Sequence, residues 1–240
     1  MMQDIIISGR SVMVKAIIGT KSLNKTYGKK DSLFVALKDI NLDIKQGESI
    51  AIIGKSGSGK STLMHLLALL DSPTSGEITI GGEPSSQLSR RQKDKLRNKQ
   101  FGFVFQQFFL NGNNSVLDNV ILPLKIAGKS RRERNRLGMK VLEDVELADK
   151  ANNKANDLSG GQKQRVVIAR ALINDPNIIF ADEPTGNLDS VTGEKIEEML
   201  FSLNKTKDIT LIIVTHDADL AARCDRQIRI KDGQIEQETK

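Results

Sequence analysis

The most constraining feature of this chain is Gly54-Lys55-Ser56-Gly57-Ser58-Gly59-Lys60-Ser61, directly after the apolar run Ser49–Ile53. The pattern G-x-x-x-x-G-K-[ST], between a buried strand and a helix, is a phosphate-binding loop. Glycines at 54, 57 and 59 let the backbone curl so that its N–H groups point at phosphate oxygens. Lys60 brings a positive charge to the β- and γ-phosphates, Ser61 a hydroxyl for Mg²⁺, and Thr62 supports the α-phosphate end. The helix N-terminus adds positive potential of its own. Gly54, Ser56, Gly57, Gly59, Lys60, Ser61 and Thr62 are therefore the expected nucleotide contacts.

A second apolar run, Ile178-Ile179-Phe180-Ala181, ends in Asp182-Glu183. A carboxylate at the end of a buried strand needs a cation. Asp182 is expected to hold Mg²⁺, directly or through water. Glu183, one residue on, faces the other way and can polarise an attacking water.

These runs belong to a chain whose strands and helices alternate. Ile40, Leu42 and Ile44, and then Glu77–Ile80, alternate with polar residues and read as half-exposed antiparallel strands. Ser49–Ile53, Phe101–Phe105, Ile178–Ala181 and Thr210–Val214 read as strands, with helices expected over Ser61–Leu70 and Gln162–Ile173. A closing hairpin joins Ile228–Lys231 to Gln234–Gln237 through Asp232-Gly233. The stretch from 107 to 160 is polar, basic and helix-favouring, with a helix expected from Ser130 to Leu147. The expected fold is α/β: a largely parallel sheet, an antiparallel β subdomain and an inserted helical subdomain. Residues 1–16 are expected to be a loose extension and 17–237 the domain proper, with Met13 available as an alternative start.

Composition narrows the classes. The net charge is +6, hydrophobic residues are 38% and charged residues 28% of 240, as in an ordinary globular protein. The longest apolar run, Leu66–Leu70, is far too short to span a bilayer. Met1–Arg10, with only Ile5–Ile7 apolar and an acid at Asp4, lacks the pattern of a secretory signal. The single cysteine, Cys224, cannot form a disulfide within the chain. Basic clusters at Arg90–Lys99 and Lys125–Arg136 read as solvated helical faces. Attraction to an anionic membrane is the alternative. Nucleic acid is not expected, because aromatics are only 4% and few stacking platforms exist.

Downstream lies Leu158-Ser159-Gly160-Gly161-Gln162, before an amphipathic helix. A serine hydroxyl, glycine N–H groups and a helix N-terminus form an anion site with no charged side chain. In this order after a phosphate loop, the motif resembles the ATP-binding cassette (ABC) ATPases. That resemblance covers about residues 17–237 and implies a P-loop NTPase (RecA-like) core binding ATP and Mg²⁺. It implies that Glu183 is the general base and that His216, in Thr-His-Asp, lies near the γ-phosphate. It implies that Gln106, at the end of Phe103-Val104-Phe105, touches Mg²⁺ and the attacking water, in a loop that docks a membrane partner. Tyr27 would stack on adenine. Asp189, in Gly186-Asn187-Leu188-Asp189, would touch the other subunit's site. Ser159, Gly160, Gly161 and Gln162 would clamp the γ-phosphate bound by a second copy, in an ATP-dependent head-to-tail homodimer. His65 is read as structural, pointing away from phosphate.

In finer detail, Ser61–Leu67, Leu70–Gly76, Gly102–Phe108 and Ala181–Asp189 are similar to the lipoprotein-releasing, macrolide-export and cell-division ATPases. These serve four-span permeases from the cytoplasmic face of the inner or plasma membrane. The segment Asn111–Asn119 departs from that pattern close to the expected permease groove. The alternative is a soluble ABC ATPase of the repair or translation type. Those usually carry coiled coils, zinc modules or paired cassettes, and this chain has one cassette and one cysteine. A plain P-loop kinase or GTPase leaves Leu158–Gln162 unexplained.

Overall fold

The computed structural model describes residues 6–7, 10–11, 16–29 and 32–239. The expected extension at 1–16 lies mostly outside these. Within it, β1 (Ile6–Ile7) and β2 (Arg10–Ser11) form a two-residue antiparallel ladder. The body follows as β3 (Ala16–Tyr27), β4 (Phe34–Lys45), β5 (Ser49–Ile53), α1 (Lys60–Leu67), β6 (Ser75–Ile80), β7 (Glu83–Pro84), α2 (Arg90–Gln100) and β8 (Phe101–Phe105). Three helices come next, α3 (Val116–Val120), α4 (Leu122–Ile126) and α5 (Arg131–Asp144). Then come α6 (Gly160–Leu172), β9 (Ile178–Asp182), α7 (Ser190–Lys207), β10 (Thr210–Val214), α8 (Ala218–Ala222), β11 (Arg226–Lys231) and β12 (Gln234–Thr239).

The main sheet runs β12-β11-β5-β10-β9-β8 and is parallel except for the edge strand β12. Its inner strands are buried on both faces, which is why they read as unbroken apolar runs. A four-stranded antiparallel sheet, β4-β3-β6-β7, packs against it.

The period-2 alternation of side chains divides the core in two. Ile178 and Phe180 of β9, with Ile212 and Val214 of β10, meet α1 through Leu63, Met64, Leu66 and Leu67, together with the antiparallel sheet. Ile179 and Ala181, with Leu211 and Ile213, face the other way, onto α6 through Val166 and Val167 and onto Ile196 and Leu200 of α7. So α1 and α6 lie on opposite faces of the main sheet.

Register decides where the chemistry gathers. Phe105, Asp182 and Val214 are aligned across β8, β9 and β10, and Val214 is aligned with Ile52 of β5. The loops that leave these strands therefore begin at one level. This is the carboxyl end of a parallel sheet, where open α/β folds place their ligands.

Three expected helices differ in extent, the one expected over Gln162–Ile173 running Gly160–Leu172. The helix expected to reach Leu70 stops at Leu67, and Leu69 takes a left-handed backbone (φ 55°) that turns the chain away. The helix expected from Ser130 to Leu147 runs Arg131–Asp144, with Ser130 as its N-cap accepting from Glu133 N–H. Helix α7, 18 residues long, was not expected; its end is marked by Asp208 at φ 53°.

Candidate functional site

The phosphate loop leaves β5 and opens α1. Two of its glycines have no room for a side chain. A Cβ on Gly54 (φ 152°) would sit 2.2 Å from Ile230 O, and one on Gly59 (φ 109°) 2.6 Å from Ala36 O. Gly59 caps α1 without a side-chain hydrogen bond, so the first N–H groups of the helix have no competing acceptor from the cap. Ser56 and Gly57 are exposed at the crest of the loop, with Ser61 exposed and Thr62 half-buried on α1. Lys60 Nζ curls back to donate to Gly54 O (2.8 Å) and Lys55 O (3.0 Å). Those carbonyls hold the ammonium over the loop.

At the neighbouring strand ends, Glu183 adopts a left-handed backbone, φ 45°, with its N–H on Val214 O at 2.9 Å. Its Oε2 accepts from Thr215 Oγ1 (3.1 Å), and its Oε1 accepts from His216 N–H (3.0 Å) and meets His216 Nδ1 at 2.7 Å. The hydrogen bond and the charge of Glu183 raise the His216 pKa above 6.5. Asp182 is half-buried, and among the described residues it makes no ion pair. Burial first, and then the charge of Glu183, push its carboxyl up; His65 and Lys60 pull it down. His65 thus acts on Asp182 electrostatically. Its backbone carbonyl accepts from Leu70 N–H (2.8 Å) and Asp71 N–H (3.3 Å). Gln106, following β8, is joined to Asn187: Asn187 Nδ2 donates to Gln106 O at 2.8 Å, and Gln106 Nε2 to Asn187 Oδ1 at 3.4 Å. Lys60, Ser61, Asp182, Glu183, Gln106 and His216 therefore share one end of the sheet.

Tyr27 closes β3 with its ring partly exposed and its hydroxyl donating to Asp71 Oδ2 at 2.8 Å. Burial and then the bond to Asp71 raise the phenol pKa, while the Thr62 hydroxyl acts in the opposite sense. Tyr27 therefore neighbours the start of α1, beside the loop.

Ser159 and Gln162 form a capping box on α6. Ser159 Oγ accepts from Gln162 N–H (3.3 Å), and Gln162 Oε1 accepts from Ser159 N–H (3.0 Å). Gly161 packs so tightly on α7 that a Cβ would lie 2.4 Å from Thr192 Cγ2. Asp189 caps α7, accepting from Thr192 N–H at 3.0 Å. Ser159 and Gly160 are exposed, and their helix lies across the sheet from α1.

Beyond Gln106, a groove of about 450 Å³ is lined by Phe103, Phe105, Phe109, Leu122, Ile126 and Arg170 among others. Phe109 and Ile126 are 65% and 70% exposed. Arg170 anchors the groove wall by donating to Phe108 O (3.0 Å) and Phe109 O (2.8 Å). The divergent segment Asn111–Asn119 is folded on itself: Asn119 Oδ1 accepts from Asn111 N–H (2.8 Å), and its Nδ2 donates to Asn111 O (3.0 Å) and Ser115 O (2.9 Å).

A sequence model of the ABC transporter family matches residues 37–186. The chain belongs to this family. It is an ATP-binding cassette that hydrolyses ATP. The cassette is 45% identical over 222 residues to YbbA, an ABC transporter ATP-binding protein of Escherichia coli, covering 92% of the chain and 97% of YbbA. It is 48% identical over 221 residues to the macrolide export ATP-binding/permease protein MacB of Psychrobacter cryohalolentis, covering 92% of the cassette and 33% of MacB. Among solved structures it resembles the ATP-binding cassette MJ0796, a dimer in a post-hydrolysis state bound to ADP and Pi. That likeness has a TM-score of 0.84 at 45% identity, over 93% of this chain and 98% of the other. The soluble repair or translation alternative falls away before relatives that are named as transporter components.

Several functional neighbours escape a reading of the sequence. Lys25 and Asp71 hold Tyr27, Thr215 holds Glu183, and Asn187 holds Gln106. Lys25 carried a usable signal, since residues i and i+2 of a strand share a face. Gln164 did not: its Nε2 donates to Pro184 O at 2.6 Å, twenty residues away and across two elements.

Proposed function

We propose that two copies of this cassette close head to tail on two ATP molecules and drive an integral membrane permease, of the macrolide-export and lipoprotein-release kind, from the cytoplasmic face of the membrane. The observation that carries the reading is the placement of α1 and α6 on opposite faces of the main sheet. The anion site at Ser159, Gly160 and Gly161 then serves a phosphate loop on another chain, with Gln162 setting its cap and Asp189 beside it on α7. A two-fold arrangement satisfies both sites at once. The dimeric MJ0796 cassette supports this.

In each site Tyr27 receives adenine, and the backbone of Gly54–Gly59 with Lys60 holds the β- and γ-phosphates. Ser61, Asp182 and Gln106 are the groups that would hold Mg²⁺. The half-buried, unpaired carboxyl of Asp182 fits a cation, and among the described residues no three His, Cys, Asp or Glu form a metal cage alone. That suits an ion bound through phosphates and few protein oxygens. Bound Mg²⁺ would offset the charge of the transferring phosphoryl group. Glu183 takes a proton from the water as the water oxygen attacks the γ-phosphorus. The bond to the β–γ bridging oxygen breaks, and ADP leaves. Thr215 and the His216 N–H fix the carboxylate for that step, and His216 orients toward the γ-phosphate once nucleotide enters.

The exposed aromatic groove beside Gln106 suits a permease segment with an apolar face. The helices from 107 to 160 form an inserted subdomain, 17–237 the working domain and 1–16 an extension. No helix of the described residues is long and apolar enough to cross a membrane.

The test is complementation between two inactive variants, Lys60→Ala and Ser159→Arg. Mixed, they form heterodimers with one intact composite site, and ATPase activity returns. If each variant stays inactive after mixing, the sites are not shared between chains.

A further inference from the structure

Lys25 is an unusual lysine. Its side chain is only 11% exposed, although lysine is almost never buried without partners. Its Nζ has three: Asp71 Oδ2 at 2.8 Å, Ser72 O at 2.7 Å, and the Tyr27 ring, whose centroid lies 4.6 Å away. Asp71 Oδ2 also accepts the Tyr27 hydroxyl at 2.8 Å. Asp71 Oδ1 accepts Ser72 N–H at 2.7 Å, and Asp71 N–H reaches His65 O on α1. One lysine therefore ties the end of β3 to the turn that follows the phosphate-loop helix. The aromatic ring is gripped twice, at its hydroxyl and on one face.

We propose that Lys25 is a positioning residue for the nucleotide base: with Asp71 it fixes the Tyr27 ring at a set height and tilt relative to the phosphate loop, so that the ring's free face is ready for adenine. This rests on the reading that Tyr27 stacks on the base. The physical reason is preorganisation. An exposed tyrosine at a strand end has torsional freedom that stacking must remove, and a ring already locked loses less on binding. A cation over one face still leaves the other face and an edge open, in keeping with the 39% exposure of Tyr27. Asp71 connects the base side of the site to α1, whose first residue is Lys60, so the span from adenine to phosphate is built into the fold.

The experiment compares affinity for ATP with affinity for inorganic tripolyphosphate, which has the phosphates and no base, both with Mg²⁺. The variants are Lys25→Met, Lys25→Arg, Tyr27→Ala and the double variant K25M/Y27A. Loss of a base–aromatic stack is worth roughly five- to hundredfold in affinity, so Tyr27→Ala should weaken ATP by that order and leave tripolyphosphate unchanged. Lys25→Met should weaken ATP by roughly two- to thirtyfold, the span of a cation–π contact, and raise KM with kcat held. Lys25→Arg should recover part of the loss. The double variant should bind ATP no more weakly than Tyr27→Ala alone.

If Tyr27→Ala leaves ATP affinity untouched, the stacking reading itself fails. If Tyr27→Ala weakens ATP but Lys25→Met does not, only the role of Lys25 fails. Equal weakening of ATP and tripolyphosphate by Lys25→Met also overturns the proposal, because the lysine would then be holding up the phosphate loop.

Discussion

Glu183 Oε1 receives two contacts from one residue: the backbone N–H of His216 at 3.0 Å and its Nδ1 at 2.7 Å. The carboxylate belongs to β9's exit and the histidine to β10's, so the pair reports the alignment of two parallel strands. Its charge state is measurable. A hydrogen bond and then the charge of Glu183 raise the His216 pKa, so imidazolium–carboxylate pairing is complete below pH 6.5 and is lost as pH rises through the raised value. The imidazole is 79% exposed, so the pair adds little to global stability. Glu183→Gln keeps the shape and removes the charge. The His216 titration, followed by the imidazole proton shifts, should move back toward 6.5. An unmoved midpoint would mean that the contact is absent in solution. ATP turnover in the same variant should drop about 10²–10⁴-fold, the usual worth of a positioned base.

Asp182 stands in the reverse situation. Burial and then the charge of Glu183 push its carboxyl up, so its ionised form is penalised in the folded, nucleotide-free chain. With a folded pKa above the unfolded one, Asp182's own contribution to stability is most favourable in acid and falls as pH rises through its range. Asp182→Asn removes that charge. The nucleotide-free variant should melt higher than the parent at neutral pH, with the difference vanishing in acid, while ATPase activity falls to background. A lower melting temperature at neutral pH would show that the carboxylate is already satisfied.

Legibility followed the distance over which each structural cause acts. The phosphate loop, the inner strands and the closing hairpin are local patterns, and the apolar runs at 49–53, 178–181 and 210–214 sit where their residues predict. Helix α7 left local signals that the reading passed over: its buried residues Ile196, Leu200 and Leu203 follow helical spacing among Glu194, Lys195, Glu197 and Glu198, and Asp189 caps its start. Leu69 shows the opposite failure. Leu66–Leu70 reads as uninterrupted helix, yet a left-handed residue ends the helix and frees the turn that carries Asp71. The contacts Lys25–Asp71, Gln106–Asn187 and Gln164–Pro184 depend on tertiary approach, and only Lys25 leaves a trace in local spacing.

Gln164 is 1% exposed and spans from α6 to the turn after Glu183 through one bond, Nε2 to Pro184 O at 2.6 Å. Its Oε1 has no hydrogen-bond partner among the described residues. Gln164→Met should therefore relieve one orphaned acceptor and create another, the Pro184 carbonyl. The lost bond is the larger effect, because the backbone carbonyl cannot turn toward water. Chemical denaturation should show a loss of roughly 1–2 kcal/mol. Turnover should fall more than ATP affinity, since the turn that carries the Glu183 backbone loses its brace. Unchanged stability and turnover would remove Gln164 from the account.

Gly161 answers to packing as well as to the anion binding proposed for it. A Cβ there would lie 2.4 Å from Thr192 Cγ2, inside any allowed contact, and Thr192 N–H is held by Asp189 in the first turn of α7. Gly161→Ala must therefore turn the Thr192 side chain out of the way or shift α6 against α7. Overpacking of this kind costs about 1–3 kcal/mol. At about 2–4 °C per kcal/mol for a domain of this size, the melting temperature should drop measurably. Thr192→Ser removes the offending methyl and keeps the N–H on Asp189, so the double variant G161A/T192S should regain most of the lost stability. If its turnover returns as well, the glycine is required for helix packing alone. If stability returns and turnover does not, the bare backbone at 161 is itself needed at the phosphate.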